Sequence, residues 1–364
     1  MVDSPVALRN SLRRLADWPT TYDGVLSAYL DLRPQATQNP NVRTGLVVLR
    51  DRLRDIRRDD GRAADTLDGV ADRIEAEIER RMPDVHGLAV FATPGGQLEV
   101  AETRRTLDNE VRRGARPHLW PLARLADAEQ AAIALIDTNT LRLFVHRSGA
   151  LEEMGLLDDS PQDYSQTSKG GWSQARFQRH VDAHREAFAK LAADAIDDIV
   201  ELEDAEVLLL AGDEVAVPLL RDELPTRLLD MTRGTLRLGM RASLQEVEQD
   251  ALPVLERLNA DDATDAADRL VGATLAKGMG VGGIEQTRGA LALGQALELV
   301  VDSDLEAEDE VRDELVGLAA ATDARVRFVA DHTDLRDLGG VGALLRFRLD
   351  RPRNEPVAAG RRSG

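Results

Sequence analysis

The sequence predicts an α/β protein of three successive units, each a mixed sheet with packed helices. Three observations predict it. At 364 residues the chain is longer than one hydrophobic core usually serves. Short unbroken apolar runs, such as Ala131–Asp137 (AAIALID) and Val207–Ala211 (VLLLA), read as buried strands. Between such runs lie longer charged segments whose leucines, valines and isoleucines recur at helical spacing.

Ser4-Pro5 is an N-cap and N1 pair that opens a first helix, which stops near Trp18-Pro19. Gly24–Leu32 reads as a strand, and residues 41–82 carry the charged pattern of helices. Gly87–Thr93, the turn Pro94-Gly95-Gly96 and Gln97–Glu102 read as strand, turn and strand. The first unit spans residues 1–124. The second, 125–240, begins with a hairpin of Ala131–Asp137 and Leu141–His146 joined by Thr138-Asn139-Thr140. Met154–Gly171 is polar and reads as an exposed loop. From Gln174 onward Phe177, Val181, His184, Phe188 and Leu191 form one helical face. The strand Val207–Ala211 and the helix Val215–Leu224 follow, and this alternation implies a mainly parallel sheet. The third unit, 241–350, starts with helices near Ser243. A helix Ile284–Leu293 comes next, then a strand Glu298–Val301, an acidic helix and strands at Arg325–Ala330 and Leu344–Leu349. Residues 351–364 read as a flexible tail.

Composition narrows the function. Lys and Arg number 46 against 65 Asp and Glu, a net charge of −19, and only Lys169, Lys190 and Lys277 are lysines. A carboxylate-rich, lysine-poor surface low in aromatics suits a halophilic protein, because surface carboxylates hold water and ions in concentrated salt. With no cysteine there is no disulfide framework, thiolate metal site or cysteine nucleophile. The N-terminus lacks the pattern of a signal peptide, and no apolar run approaches the ~20 residues that span a bilayer. A cytoplasmic location without membrane contact is expected. The net charge disfavours nucleic acid unless a basic patch forms locally.

Several motifs have ordinary explanations. Gly278-Met279-Gly280-Val281-Gly282-Gly283 satisfies G-x-G-x-x-G, but the segment before it reads as helix where a dinucleotide fingerprint needs a strand. These glycines read as a turn, and no cofactor is expected. His180 and His184 stand at i and i+4 without the glutamate of H-E-x-x-H and without a third ligand, so no metal is expected and His184 reads as a packed core histidine. The acidic run Asp302–Glu314 reads as a solvated helix face. Gln166–Lys190 differs: Lys169, Arg176, Arg179, Arg185 and Lys190 face only Asp182 and Glu186 there. A paired-glycine loop opening an arginine-bearing helix suits a phosphate-lined cavity, since glycine lets backbone approach closely and the helix N-terminus adds positive potential.

Gly170-Gly171-Trp172-Ser173-Gln174-Ala175-Arg176-Phe177 and the helix that follows resemble the Gly-Gly-Gln loop of the archaeal and eukaryotic class-1 peptide-chain release factors. Val207–Gly212 is similar to that domain's next strand. Val281–Asp302 and Leu338–Leu349 resemble the family's C-terminal helix–strand segment and closing Gly-Gly-x-Gly strand. The matches are colinear and cover about residues 87–350. The superfamily includes Pelota, the Ankzf-type peptidyl-tRNA hydrolases and the hibernation factor Balon.

The resemblance implies a three-domain release-factor-like architecture. Its N-terminal domain would face the decoding site and its middle domain the peptidyl transferase centre. Its C-terminal domain would contact a translational GTPase or ABC-type ATPase. Two functions follow. The first is codon-independent peptidyl-tRNA hydrolysis in ribosome rescue or quality control, by a monomer that binds large-subunit rRNA and peptidyl-tRNA. Gln174 would then position water, and Gly170, Gly171 and Ser173 would shape the catalytic loop. Lys169, Trp172, Arg176, Arg179 and His180 would contact RNA. The alternative is a non-hydrolytic occupant of the ribosomal A site, of the Balon or Pelota kind. The departures bear on that choice: Trp172 stands where the family's Gln directly follows the glycines, and Gln174 lies two positions later. Neither Asn-Ile-Lys-Ser nor Tyr-x-Cys occurs, so stop-codon reading is not implied, and Val301–Arg325 is too short for the family's usual C-terminal insertion.

Overall fold

A computed structural model describes residues 4–21, 24–33, 44–59, 64–80, 85–147, 149–159 and 173–348. Helix α1 (Pro5–Ala16) starts as expected, with the Ser4 hydroxyl accepting from the Ala7 N–H and Pro5 at N1. Strands β1 (Val25–Asp31), β2 (Gly87–Ala92), β3 (Leu98–Thr103) and β4 (Glu110–Gly114) form an antiparallel sheet in the order β3-β2-β1-β4. Leu26, Ala28, Leu30, Leu88 and Val90 pack under α2 (Thr44–Asp59) and α3 (Ala64–Glu79), while Tyr29, Ala89 and Phe91 face α1 and α4 (Trp120–Ala126). Both faces are covered, which is why β1 and β2 read as unbroken apolar runs.

The second sheet is β5 (Ala131–Ile136), β6 (Thr140–Arg147), β7 (Ala150–Asp158), β8 (Val207–Gly212) and β9 (Thr232–Leu236), in the order β7-β6-β5-β8-β9. It is not mainly parallel as expected. β5, β8 and β9 are parallel, but β6 and β7 follow through tight turns and so pair antiparallel. The predicted loop from Met154 is likewise corrected: β7 runs to Asp158, its polar residues being those of an exposed edge strand. Residues 160–171 of that loop lie outside the described residues.

Helices α5 (Ser173–Leu202), α6 (Ala216–Glu223) and α7 (Thr226–Met231) cover one face of this sheet. The other face packs on the first half of α8 (Leu244–Leu275), through Val247, Ala251 and Leu258. The second half of α8, through Ala263, Ala267 and Leu270, packs on the third sheet, so one helix serves two units. That sheet has the order β10-β13-β11-β12, from β10 (Gly280–Gly282), β11 (Ala296–Asp302), β12 (Arg325–Val329) and β13 (Val341–Leu345), with α9 (Ile284–Ala292), α10 (Asp309–Ala321) and α11 (Thr333–Asp337). The Gly278–Gly283 segment is therefore partly strand, because Gly280–Gly282 pairs with Gly342–Leu344. The closing strand is Val341–Leu345, earlier than expected.

The first and third units share one core, in which Leu8, Leu12, Phe91 and Leu122 join Leu299, Leu315 and Val316. Buried charge marks the same joint, and it corrects the reading of Asp302–Glu314 as a solvated face. Asp313 on α10 accepts from the Leu119 and Trp120 N–H groups at 2.8 and 2.9 Å, which opens α4, and its other oxygen lies 2.8 Å from His118 Nδ1. Asp302 is buried and accepts from Arg336 Nε at 2.7 Å. Farther along, buried Arg327 lies 3.3 Å from Glu129 and 3.6 Å from Glu298, and its Nη1 donates to Asn259 at 3.2 Å. Arg325 and Arg9 both reach Glu206, at 2.8 and 3.2 Å. Burial drives Asp127 up to about 7, against the pull of Arg327.

His146 on β6 is buried, and neither ring nitrogen has a hydrogen-bond partner among the described residues. Burial first, and then the charge of Arg105, drives its pKa down to about 4 from 6.5. Above pH 6.5 the ring is neutral whether the chain is folded or unfolded. As pH falls toward 4 the unfolded chain takes up a proton that the folded chain refuses, and about 3 kcal/mol of stability is lost. His146→Leu removes two unsatisfied buried atoms, so it is expected to hold or raise the urea midpoint at pH 7.5. It is also expected to flatten the loss of midpoint between pH 6.5 and 4.

Candidate functional site

The site is organised by the edge of the second sheet from which α5 emerges. The β5–β6 turn closes with Asp137 N–H donating to Thr140 O at 3.0 Å, while the Asp137 carboxylate accepts from the Asn139 and Thr140 N–H groups at 2.9 and 2.8 Å. Asp159, just past β7, ties to the same turn through its N–H and Asn139 O at 2.9 Å. Beside it Asp213 accepts from Val215 and Ala216 N–H groups and starts α6. At the end of β8, Gly212 has φ +139°, and a Cβ there would sit 2.0 Å from the Ile136 carbonyl oxygen. Only glycine lets β5 and β8 close here. Gly212→Ala is expected to cost about 2 kcal/mol or more, read as a lower urea midpoint.

Helix α5 is 30 residues long, and its second half packs on the sheet. Phe188, Ala192, Ile196 and Val200 recur every four residues and are buried against Ala132, Ala134, Leu208 and Leu210. The predicted apolar face ending at Leu191 is therefore corrected. Leu191 is 46% exposed, because the buried stripe runs at i+4 and leaves the 3-and-4 register read from the sequence. His184 is also not a core histidine. It is half-buried, with Nδ1 4.0 Å from an Asp159 carboxylate oxygen and Nε2 without a hydrogen-bond partner among the described residues.

From His184 to the start of the helix at Ser173 is eleven residues. At 1.5 Å per residue this stretch of helix is about 16 Å long. Ser173, Gln174, Arg176, Arg179 and His180 occupy its first turns. The helical backbone places Ser173, Arg176, Arg179 and His180 in one sector of about 120° and sets Gln174 about 100° away from Ser173. Lys169, Gly170, Gly171 and Trp172 lie outside the described residues.

The electrostatics divide along the helix. Asp137, Asp158, Asp159, Asp213 and Glu214 gather at the sheet edge, while Arg176 and Arg179 belong to the tip, where the first-turn N–H groups add positive potential. Among the described residues no three His, Asp or Glu side chains converge to hold a metal. No described helix is long and apolar enough to cross a membrane.

What reading the sequence missed is the support of this edge. Arg142 on β6 pairs with Glu153 on β7 at 2.8 Å, donates to the Met240 and Ala242 carbonyls and lies over the Phe144 ring at 4.9 Å. It staples the hairpin to the segment leading into α8. No sequence signal marks this arginine, since its carbonyl partners lie about a hundred residues away.

Residues 117–256 match the family described as Bacterial archaeo-eukaryotic release factor family 10. The matched stretch runs from just before α4 into α8 and contains the whole of α5. Among solved structures, an archaeal translation termination factor, aRF1, is similar at 18% identity over 95% of this chain and 99% of that chain, with a TM-score of 0.28. Archaeal Pelota, in a ribosome-bound assembly with ABCE1, is similar at 15% over 96% and 95%, with a TM-score of 0.45. Dom34 of S. cerevisiae is similar at 13% over 70% and 74%, with a TM-score of 0.46. No curated protein matches the chain.

Proposed function

We propose that the chain, whose residues 117–256 match Bacterial archaeo-eukaryotic release factor family 10, is a ribosome-associated translation factor acting in rescue or quality control. Its proposed activity is codon-independent hydrolysis of peptidyl-tRNA. The observation that carries the reading is a Gly-Gly-Trp-Ser-Gln sequence that leads into the 30-residue helix α5, inside the segment that matches the family. A long helix with arginines in its first turns suits entry into an RNA-walled cavity, where phosphate contact would come from Arg176 and Arg179.

The chemistry asks little of titratable groups. Water attacks the ester carbonyl that joins peptide to the tRNA 3′ ribose. A tetrahedral intermediate forms and the carbon–oxygen bond to the ribose breaks. The peptide leaves as its acid, and the ribose oxygen takes the proton. Gln174 is proposed to hold the water, and backbone N–H groups of the Gly170-Gly171 loop to stabilise the oxyanion. A translational GTPase or ABC-type ATPase acting on the third unit, and a cytoplasmic, halophilic setting, belong to the same proposal.

A second reading has its own observation. Trp172 replaces the glutamine that directly follows the glycines in the resembled family, and an aromatic there suits stacking on a base without hydrolysis. One experiment separates the two: labelled peptide release from stalled peptidyl-tRNA complexes at multimolar KCl, with sedimentation of the protein followed in the same tubes. Release with co-sedimentation supports hydrolysis. Co-sedimentation alone supports the non-hydrolytic occupant, and neither outcome at any salt overturns both.

A further inference from the structure

Five large apolar side chains are exposed around one end of the third sheet: Leu275 (72%), Met279 (40%), Leu293 (61%), Leu297 (54%) and Phe347 (45%). They come from the end of α8, the approach to β10, the end of α9, the start of β11 and the end of β13. The sheet order β10-β13-β11 brings these segments together. The Leu345 N–H donates to Met279 O at 2.9 Å and the Arg346 N–H to Gln295 O at 2.8 Å, so Phe347 follows directly on the junction of all three strands. Water-facing apolar clusters of this kind mark contact surfaces.

The charge at this end is unlike the rest of the chain. Lys277, Arg346 and Arg348 flank the cluster. The Arg346 guanidinium donates to the Thr322 and Asp323 carbonyls and that of Arg348 to the Lys277 carbonyl, in a protein whose arginines mostly meet carboxylates. Among the described residues neither guanidinium meets a carboxylate, so its positive charge is left uncompensated there. In a chain of net charge −19 this end is therefore apolar and cationic together.

We infer that this end of the third unit is a docking surface for a partner protein segment that is acidic and carries apolar anchor side chains. The inference specifies the partner contact proposed above for the third unit and rests on that part of the reading alone. Charge complementarity selects an acidic partner, and the five apolar side chains have no use against a phosphate backbone. Leu293, Met279 and Phe347 supply the anchors, and the three cations form the rim.

The test places a photo-crosslinking residue at Leu293 of the full chain, with Leu156 on β7 as an exposed control, and irradiates cells that express it. The expected result is a discrete protein adduct at 293 and not at 156, whose crosslinked segment holds more Asp and Glu than Lys and Arg and at least one large apolar residue. Arg346→Glu with Arg348→Glu, and separately Phe347→Asp, should each reduce the adduct at least about tenfold, with urea midpoints confirming that both variants fold. The inference is overturned by equal adducts at 293 and 156, or by none. It is equally overturned by adducts with RNA, with a second copy, with residues 349–364 of the same chain or with a basic segment, or by variants that leave the adduct unchanged. Ribosome sedimentation in the same samples keeps the readings apart: an adduct without sedimentation removes the ribosome reading and leaves the docking surface standing.

Discussion

Gln174→Ala is expected to lower peptide release from stalled peptidyl-tRNA complexes by about 100- to 1,000-fold while leaving ribosome co-sedimentation unchanged. The magnitude is that of removing one preorganised polar group aimed at the reacting centre. The separation of the two readouts follows from the helix. Arg176, Arg179 and His180 share a sector that does not include the Gln174 position, so phosphate contact and water positioning are assigned to different sides of the same tip. Arg176→Ala or Arg179→Ala should do the converse. Each should weaken sedimentation and reduce its salt slope by about one ion, with release at saturating protein retained. Full release by the Gln174→Ala protein would remove Gln174 from the mechanism and leave the loop backbone as the only candidate.

Asp313→Ala is expected to be strongly destabilising at the joint of the first and third units, at about 3 kcal/mol. One carboxylate there closes the N-terminus of α4 through the Leu119 and Trp120 N–H groups and holds His118 at 2.8 Å, so its loss leaves two backbone donors without their acceptor and His118 with Glu110 alone. Asp313→Asn separates the two roles, since its amide oxygen still accepts from the helix while the charge beside His118 is gone.

The pH dependence of this clasp is set by its two titrating members. Burial opposes a charged His118, yet Asp313 and Glu110 outweigh it and raise the pKa above 6.5. The contribution of His118 is therefore complete below pH 6.5 and lost as pH rises through the raised value. Glu110, held first by His118 at 3.5 Å and then by Arg112, is drawn down to about 2 from 4.5. Its contribution is complete above pH 4.5 and lost as pH falls through about 2. The clasp is strongest between about pH 4.5 and 6.5. Urea midpoints of wild type and Asp313→Asn across that range should differ most inside it, and a constant difference at all pH values would show that His118 plays no part.

Local signals account for much of the fold. Ser4-Pro5 starts α1, Ser243 and Glu246 form a capping box that starts α8, and the double-sided burial of β1, β2, β5 and β8 is written as unbroken apolar runs. The release-factor resemblance was legible for the same reason, because its motif is a contiguous loop and helix. The short polar strands β4, β7 and β9 were not legible, since an edge strand buries too little apolar surface to show a period.

By itself, then, the sequence determined the three α/β units, the strands buried on both faces and the residues at the start of α5. Each of these depends on neighbours within a few positions. Only the tertiary structure decided that α5 packs on its sheet through Phe188 to Val200, that α8 serves two sheets and that the first and third units share a core. It also decided that Asp302 is buried against Arg336 and Asp313 half-buried against His118, inside an acidic run. The physical reason is sequence distance: Asp313 meets His118 across 195 positions and Arg327 meets Glu129 across 198, and no local pattern encodes which carboxylate finds which cation when the sheets assemble.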